Sequence, residues 1–71
     1  MSVITRRAGL CGGEPTIRGM RISVRDVVEY LELYGSKDRI LGALPDLNLS
    51  DIDAALEYYR RHRPEVEGYR L

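Results

Sequence analysis

Between Gly12 and Val24, in the stretch GGEPTIRGMRISV, the chain places three glycines, one proline and two arginines within thirteen residues. Glycine in a helix interior costs backbone entropy, and proline fixes φ and removes a donor, so no regular helix runs through this stretch. What precedes it must be arm or loop, and what is helical must follow it.

From Ser23 the pattern turns helical. Ser23 can cap, Asp26 stands three residues on, and Val24, Val27, Val28, Leu31 and Tyr34 recur at helical spacing. Gly35 ends this helix, because it tolerates a left-handed turn. Ser36 caps a second, short helix with Ile40, Leu41 and Leu44 on its buried face, and Pro45 closes it. Asn48 opens a third, with Asp51 as its capping partner and Leu49, Ile52, Leu56 and Tyr59 as one apolar stripe. It is expected to run to about His62, before Pro64.

In the arm, Val3 to Arg7 reads as a short strand and Gly9 to Gly13 as loop. The segment TIRGMRIS can be laid out as a hairpin turning at Gly19-Met20, which sets Ile17 against Ile22 and Arg18 against Arg21. Like charges opposite each other cost about 0.2 to 1 kcal/mol unless an anion sits between them, which points to a ligand or partner at Arg18 and Arg21. In the alternative geometry the bend is open and Val3 to Arg7 pairs with Thr16 to Arg18, within the chain or between copies. The expected fold is mainly α: a three-helix helix-turn-helix bundle with a short N-terminal β arm or hairpin, as one domain over residues 1–62. The tail RPEVEGYRL, residues 63–71, has no helical period and reads as a frayed end or a segment that orders on a partner.

Seventy-one residues make one domain, and one this small buries only about 60% of its unfolded surface, so a second copy or a partner is expected. The formal charge of zero is a cancellation: residues 1–25 hold five arginines against Glu14, residues 26–57 hold eight acids against Lys37 and Arg39, and the last fourteen residues hold four arginines against two acids. An anion would meet the two ends first. A lone cysteine, Cys11, excludes an intrachain disulfide, and with no charged-then-apolar leader and no long apolar run the expected compartment is the cytoplasm.

Catalysis has little to stand on. His62 is the only histidine and Cys11 the only cysteine, so neither metal-ligand spacing nor a cysteine-histidine pair is present, and no cofactor or enzymatic activity is expected. Asp51 and Asp53 read as first-turn acids of a helix. Helix, Pro45-Asp46-Leu47 turn, helix is the layout of a helix-turn-helix, yet the outward positions of its second helix, Ser50, Asp51, Asp53, Ala54 and Glu57, are mostly acidic or neutral. Any DNA affinity must then come from Arg6, Arg7, Arg18, Arg25, Arg60 and Arg61. The alternative is a structural bundle with a solvated acidic face. Tyr34 and Tyr59 belong to the expected core, and Tyr30, Tyr58 and Tyr69 are interface candidates.

The run CGGEPTIRGMRISV followed by ILGALPDLNLSDIDAALEYY resembles a bacterial and archaeal family of small proteins, the VapB-like antitoxins, long described as a domain of unknown function. Gly13, Pro15, Ile17, Gly19, Arg21, Ile22 and Val24 match the first half of the family pattern. Gly35, Ile40, Leu41, Pro45, Leu47, Asp51, Ile52, Ala54, Ala55, Leu56 and Tyr58 match the second. Met20 stands where the family usually has threonine. The resemblance implies a homeodomain-like fold and a dimeric antitoxin that neutralises a PIN-like ribonuclease toxin and binds its own promoter DNA. Partner contacts are expected at Arg18, Tyr58, Arg63, Val66, Tyr69 and Leu71, with Arg21 paired internally. A stand-alone DNA-binding regulator and a structural adaptor whose arm joins another protein's sheet are the alternatives.

Overall fold

Three side-chain caps decide where the longer helices begin in the computed structural model, which describes residues 3–70. Ser23 accepts from the Asp26 N–H at 3.0 Å while Asp26 accepts from the Ser23 N–H at 3.0 Å, and α1 runs over Val24–Tyr34. Gly35, at φ +78°, ends it in the left-handed conformation, its N–H donating to Leu31 O. Ser36 caps α2 (Lys37–Ala43) by accepting from the Arg39 N–H. Asn48 and Asp51 repeat the reciprocal box at the start of α3 (Leu49–Arg61). Each such cap contributes about 0.5 to 2 kcal/mol.

Residues 63–69 do not form a loose tail. A fourth helix, α4 (Arg63–Tyr69), follows a sharp break at His62, and Val66 on its inner side is fully buried. This corrects two expectations: residues 63–69 are helical rather than irregular, and Val66 belongs to the core rather than to a partner surface. Pro64 stops α3, yet it also fits the first turn of α4, where its missing N–H has no acceptor to lose. Leu71 lies outside the described residues.

Before the helices come β1 (Ile4–Thr5), a tight 3-10 turn at Cys11–Gly13, and β2 (Thr16–Ile17). β1 and β2 pair antiparallel, with Ile4 opposite Ile17 and Thr5 opposite Thr16. On its other side β2 meets the chain entering α1: Thr16 bridges Ser23, Ile17 N donates to Ile22 O and Val24 N donates to Pro15 O, both at 2.9 Å. The hairpin and the pairing with the first strand, posed as alternatives, thus occur together, and β2 lies between the two. The protein is mainly helical, with four α-helices and a small two-stranded antiparallel sheet among the described residues.

Ile17 from β2, Val24, Val27 and Val28 from α1, Ile40 from α2, Ile52 and Ala55 from α3, Val66 from α4 and Leu47 from the α2–α3 turn form one core. Two apolar residues assigned to it from spacing lie outside: Leu49 is 50% exposed and Tyr34 is 37% exposed. Asp51, read as outward, is 2% exposed instead. The buried arc of α3 is therefore centred on Asp51, Ile52 and Ala55, leaving Leu49 at its edge in the first turn. No helix among the described residues is long and apolar enough to cross a membrane.

Candidate functional site

The arm's turn is built from Ile17 to Met20. Met20 N donates to Ile17 O at 2.8 Å, and the two central residues, Arg18 at φ +48° and Gly19 at φ +72°, are both left-handed, the signature of a type I′ hairpin turn. The turn is centred one residue earlier than the expected Gly19-Met20. Glycine adopts such a φ freely, but for arginine it is unfavourable. What holds Arg18 there is its side chain. Arg18 Nε donates to Asp51 Oδ1 at 3.0 Å and Nη2 donates to Asp51 Oδ2 at 2.9 Å, a two-pronged contact, while Nη2 also donates to Asp46 O at 2.9 Å. Asp51 keeps its capping bond from the Asn48 N–H as well, so a nearly buried carboxylate is met by three donors. Such a buried acid is tolerated because its charge is paired and hydrogen-bonded.

This pairing reverses the expected roles of the two turn arginines. Arg18, proposed from sequence as a partner contact, is the internal residue, its side chain taken up by Asp51 and Asp46. Arg21, expected to be internal, is exposed and has no acceptor among the described residues. Arg7 has none either, and it reaches the same turn: a methyl group placed on Gly19 would stand 3.8 Å from Arg7 Nη1.

The remaining candidate arginines are engaged. Arg6 donates to Gly13 O at 3.2 Å and to the Tyr69 hydroxyl at 3.1 Å, and lies 3.6 Å from Glu65, so it clasps the arm to α4. Arg25 pairs with Glu14 at 3.0 Å, and that hydrogen bond is the main reason its guanidinium is held above the ordinary arginine range. Arg60 and Arg61 both grip Glu57, whose carboxyl they lower to about 2. On the C-terminal side, Arg63 lies 5.4 Å over the Tyr59 ring and Tyr58 donates to Glu65 at 2.7 Å. Burial, then that bond to Glu65, pushes the Tyr58 phenol up to about 12. Tyr58, Arg63 and Tyr69 thus fasten α4 to the rest of the fold.

The family model of a protein of unknown function, DUF433, matches residues 4–59, from β1 through most of α3. The chain belongs to the DUF433 family. A crystal structure of a DUF433 member from Anabaena variabilis is similar to it, at 31% identity and a TM-score of 0.85, over 97% of this chain and 68% of that one. No curated protein matches. The family match stops before α4, whereas the structural match takes in nearly the whole chain. Both halves of the sequence pattern fall inside the DUF433 match, including Gly13, Pro15, Gly19 and Arg21 of the arm.

One further surface in this DUF433 chain was legible from sequence only at Tyr30, an expected interface candidate. On α1, Leu33 is 72% exposed, and Tyr30 and Tyr34 stack on each other with ring centroids 5.6 Å apart. Asp26, Glu29, Tyr30 and Leu33 line a shallow groove beside them. Spacing assigned Tyr34 to the core because it continues the helical period of Val24, Val27 and Leu31. Gly35 ends the helix one residue later, and nothing packs over that last turn closely enough to bury the ring. Among the described residues, no group of three or more His, Cys, Asp or Glu stands close enough to hold a metal ion.

Proposed function

We propose that the protein is a cytoplasmic, homodimeric antitoxin that binds and neutralises a PIN-like ribonuclease toxin. The observation that carries this function is the α1 surface of exposed Leu33 and Tyr34 with half-buried Tyr30 stacked on Tyr34, flanked by Asp26 and Glu29. A protein partner is anchored by aromatic and aliphatic side chains at the centre of a polar rim, and this surface has that composition. It replaces the C-terminal residues as the toxin contact, because Arg18, Tyr58, Arg63, Val66 and Tyr69 are occupied within the fold. The resemblance of the arm and α2–α3 sequence to VapB-like antitoxins supplies the partner class.

The test is co-expression of the chain with the product of the adjacent open reading frame, followed by co-purification and a ribonuclease assay. The wild type is expected to co-purify with that product and silence its activity. Leu33→Asp is expected to lose both while melting as the wild type does, since an exposed substitution changes stability by about 0.5 kcal/mol or less. A Leu33→Asp variant that neutralises fully would remove α1 from the contact.

A second function, a DNA-binding regulator of homeodomain-like helix-turn-helix type, draws support from a different observation. α2 and α3 follow each other across the Leu44–Asn48 turn, and the arm tip carries cations without acceptors among the described residues. Binding of its own upstream region in a mobility-shift assay tests that activity independently of any toxin.

A further inference from the structure

Among the described residues, the guanidinium groups without an acceptor belong to Arg7, Arg21 and Arg39, and the first two belong to the arm, Arg7 against its turn and Arg21 just after it. Arg7 Nη1 lies against Gly19, and Arg21 follows two residues later, exposed. Nearby Arg18 is neutralised by Asp51, so the tip carries the charge of Arg7 and Arg21 with no internal counter-ion. Two cations on one short arm with no carboxylate beside them give it a positive potential that favours an external anion. None of the large exposed apolar side chains, Leu33, Tyr34 and Leu49, belongs to the arm. A protein interface needs such an anchor, whereas phosphate contacts are made by arginine alone.

We propose that the arm tip binds the sugar-phosphate backbone of a nucleic-acid duplex through Arg7 and Arg21, while α3 reads no bases. This rests on the DNA-binding function above for its ligand class, and it departs from the usual use of such a fold, in which the second helix of the pair enters the major groove. The outward acids of α3 favour that departure. Asp53 and Glu57 are held by Lys37 and by Arg60 and Arg61, so those cations are already committed to local carboxylates. With these charges paired to one another, α3 offers phosphate no free cation on that face, and the tip does. Binding through two phosphate contacts is weak, modestly salt-dependent and indifferent to sequence.

The experiment is fluorescence anisotropy on the full chain with two labelled duplexes of about 25 base pairs, one of arbitrary sequence and one from its own upstream region, from about 50 to 200 mM salt. The wild type is expected to bind both. Arg7→Ala/Arg21→Ala should weaken both equally and reduce the magnitude of the salt slope by about two, at roughly 0.9 per phosphate contact. Arg60→Ala/Arg61→Ala should leave the slope unchanged. Circular dichroism melting of the arm variant confirms that its fold is kept. If the wild type binds and the arm variant keeps the same affinity and slope, DNA binding stands and the arm site is overturned. If the wild type binds neither duplex at the lowest salt, the DNA-binding function falls and the site with it. Displacement of the duplex by polyglutamate at equal charge concentration would assign the tip to protein carboxylates and overturn the phosphate proposal.

Discussion

The inner side of the arm and its tip are made of the same residue types and behave in opposite ways. On the inner side, Ile17 is sealed in the core, Arg18 is clamped by Asp51 and Asp46, and Arg6 is fastened to Gly13, Tyr69 and Glu65. At the tip, Arg7 and Arg21 have no acceptor among the described residues. Arg6 and Arg7 are neighbours in sequence, and Arg18 and Arg21 are three apart. What separates them is whether the fold brings an acceptor within reach of each side chain. Charge along the sequence therefore says how many cations an arm has, and only the packing says which of them are free to meet a partner.

The largest effect is expected where the arm enters the core. Ile17→Ala should cost about 2 to 5 kcal/mol, the range for deleting a fully buried aliphatic side chain, and should unfold the arm together with the helices. A variant that loses the arm's β pairing while α1 to α3 melt unchanged would show that the arm is an independent appendage. Asp51→Ala is expected to follow, at roughly 3 kcal/mol, because Arg18 loses its carboxylate partner and the Asn48 N–H its acceptor. The value is set at the low end because Arg18 is half exposed and water can replace part of the contact. Urea titration should show the loss as a lower midpoint with the slope unchanged.

A smaller effect is expected on the α4 side of the clasp, and it depends on pH. The Tyr58 phenol is raised from its ordinary value of 10 to about 12 in the folded protein. The proton is thus held more tightly in the folded state than in the unfolded one. Its contribution is complete below pH 10 and is lost as pH rises from about 10 to 12. Tyr58→Phe should flatten the decline in melting temperature across that window. An identical decline in wild type and variant would assign the alkaline sensitivity to other groups. Glu57, lowered to about 2 by Arg60 and Arg61, behaves in the opposite sense: its contribution is present above the usual carboxylate range and fades as pH falls towards 2.

Much of the helical frame was legible because its signals are local. Ser23 with Asp26, Asn48 with Asp51, Ser36, and Gly35 at a positive φ each act within four residues, and all set helix ends where expected. The same holds for Ile17 opposite Ile22, a pairing fixed by a short turn. What escaped was long-range or too short to show a period. Asp51 looks like one more acid on an outward helical face until Arg18, distant in sequence, is brought against it. Knowing that Asp51 is buried would have identified Arg18 as internal, since a buried carboxylate needs donors. The seven residues of α4 contain Pro64 and Gly68 and one fully buried apolar side chain, Val66, which leaves no repeat to recognise. The α1 surface, legible only at Tyr30, was otherwise hidden for the converse reason, since Tyr34 keeps the helical period but outruns the neighbouring helices.

The contrast between the two turn arginines is tested most directly by thermal unfolding of Arg18→Ala beside Arg21→Ala under identical conditions. Loss of the Arg18 contact with Asp51 and Asp46 is expected to cost at least about 1 kcal/mol, which in a domain of this size lowers the melting temperature by about 4 to 8 °C. Arg21→Ala should stay within about 0.5 kcal/mol of the wild type, as exposed substitutions do. Equal shifts for the two variants, or a larger one for Arg21→Ala, would contradict the assignment of Arg18 to the fold and Arg21 to an anion.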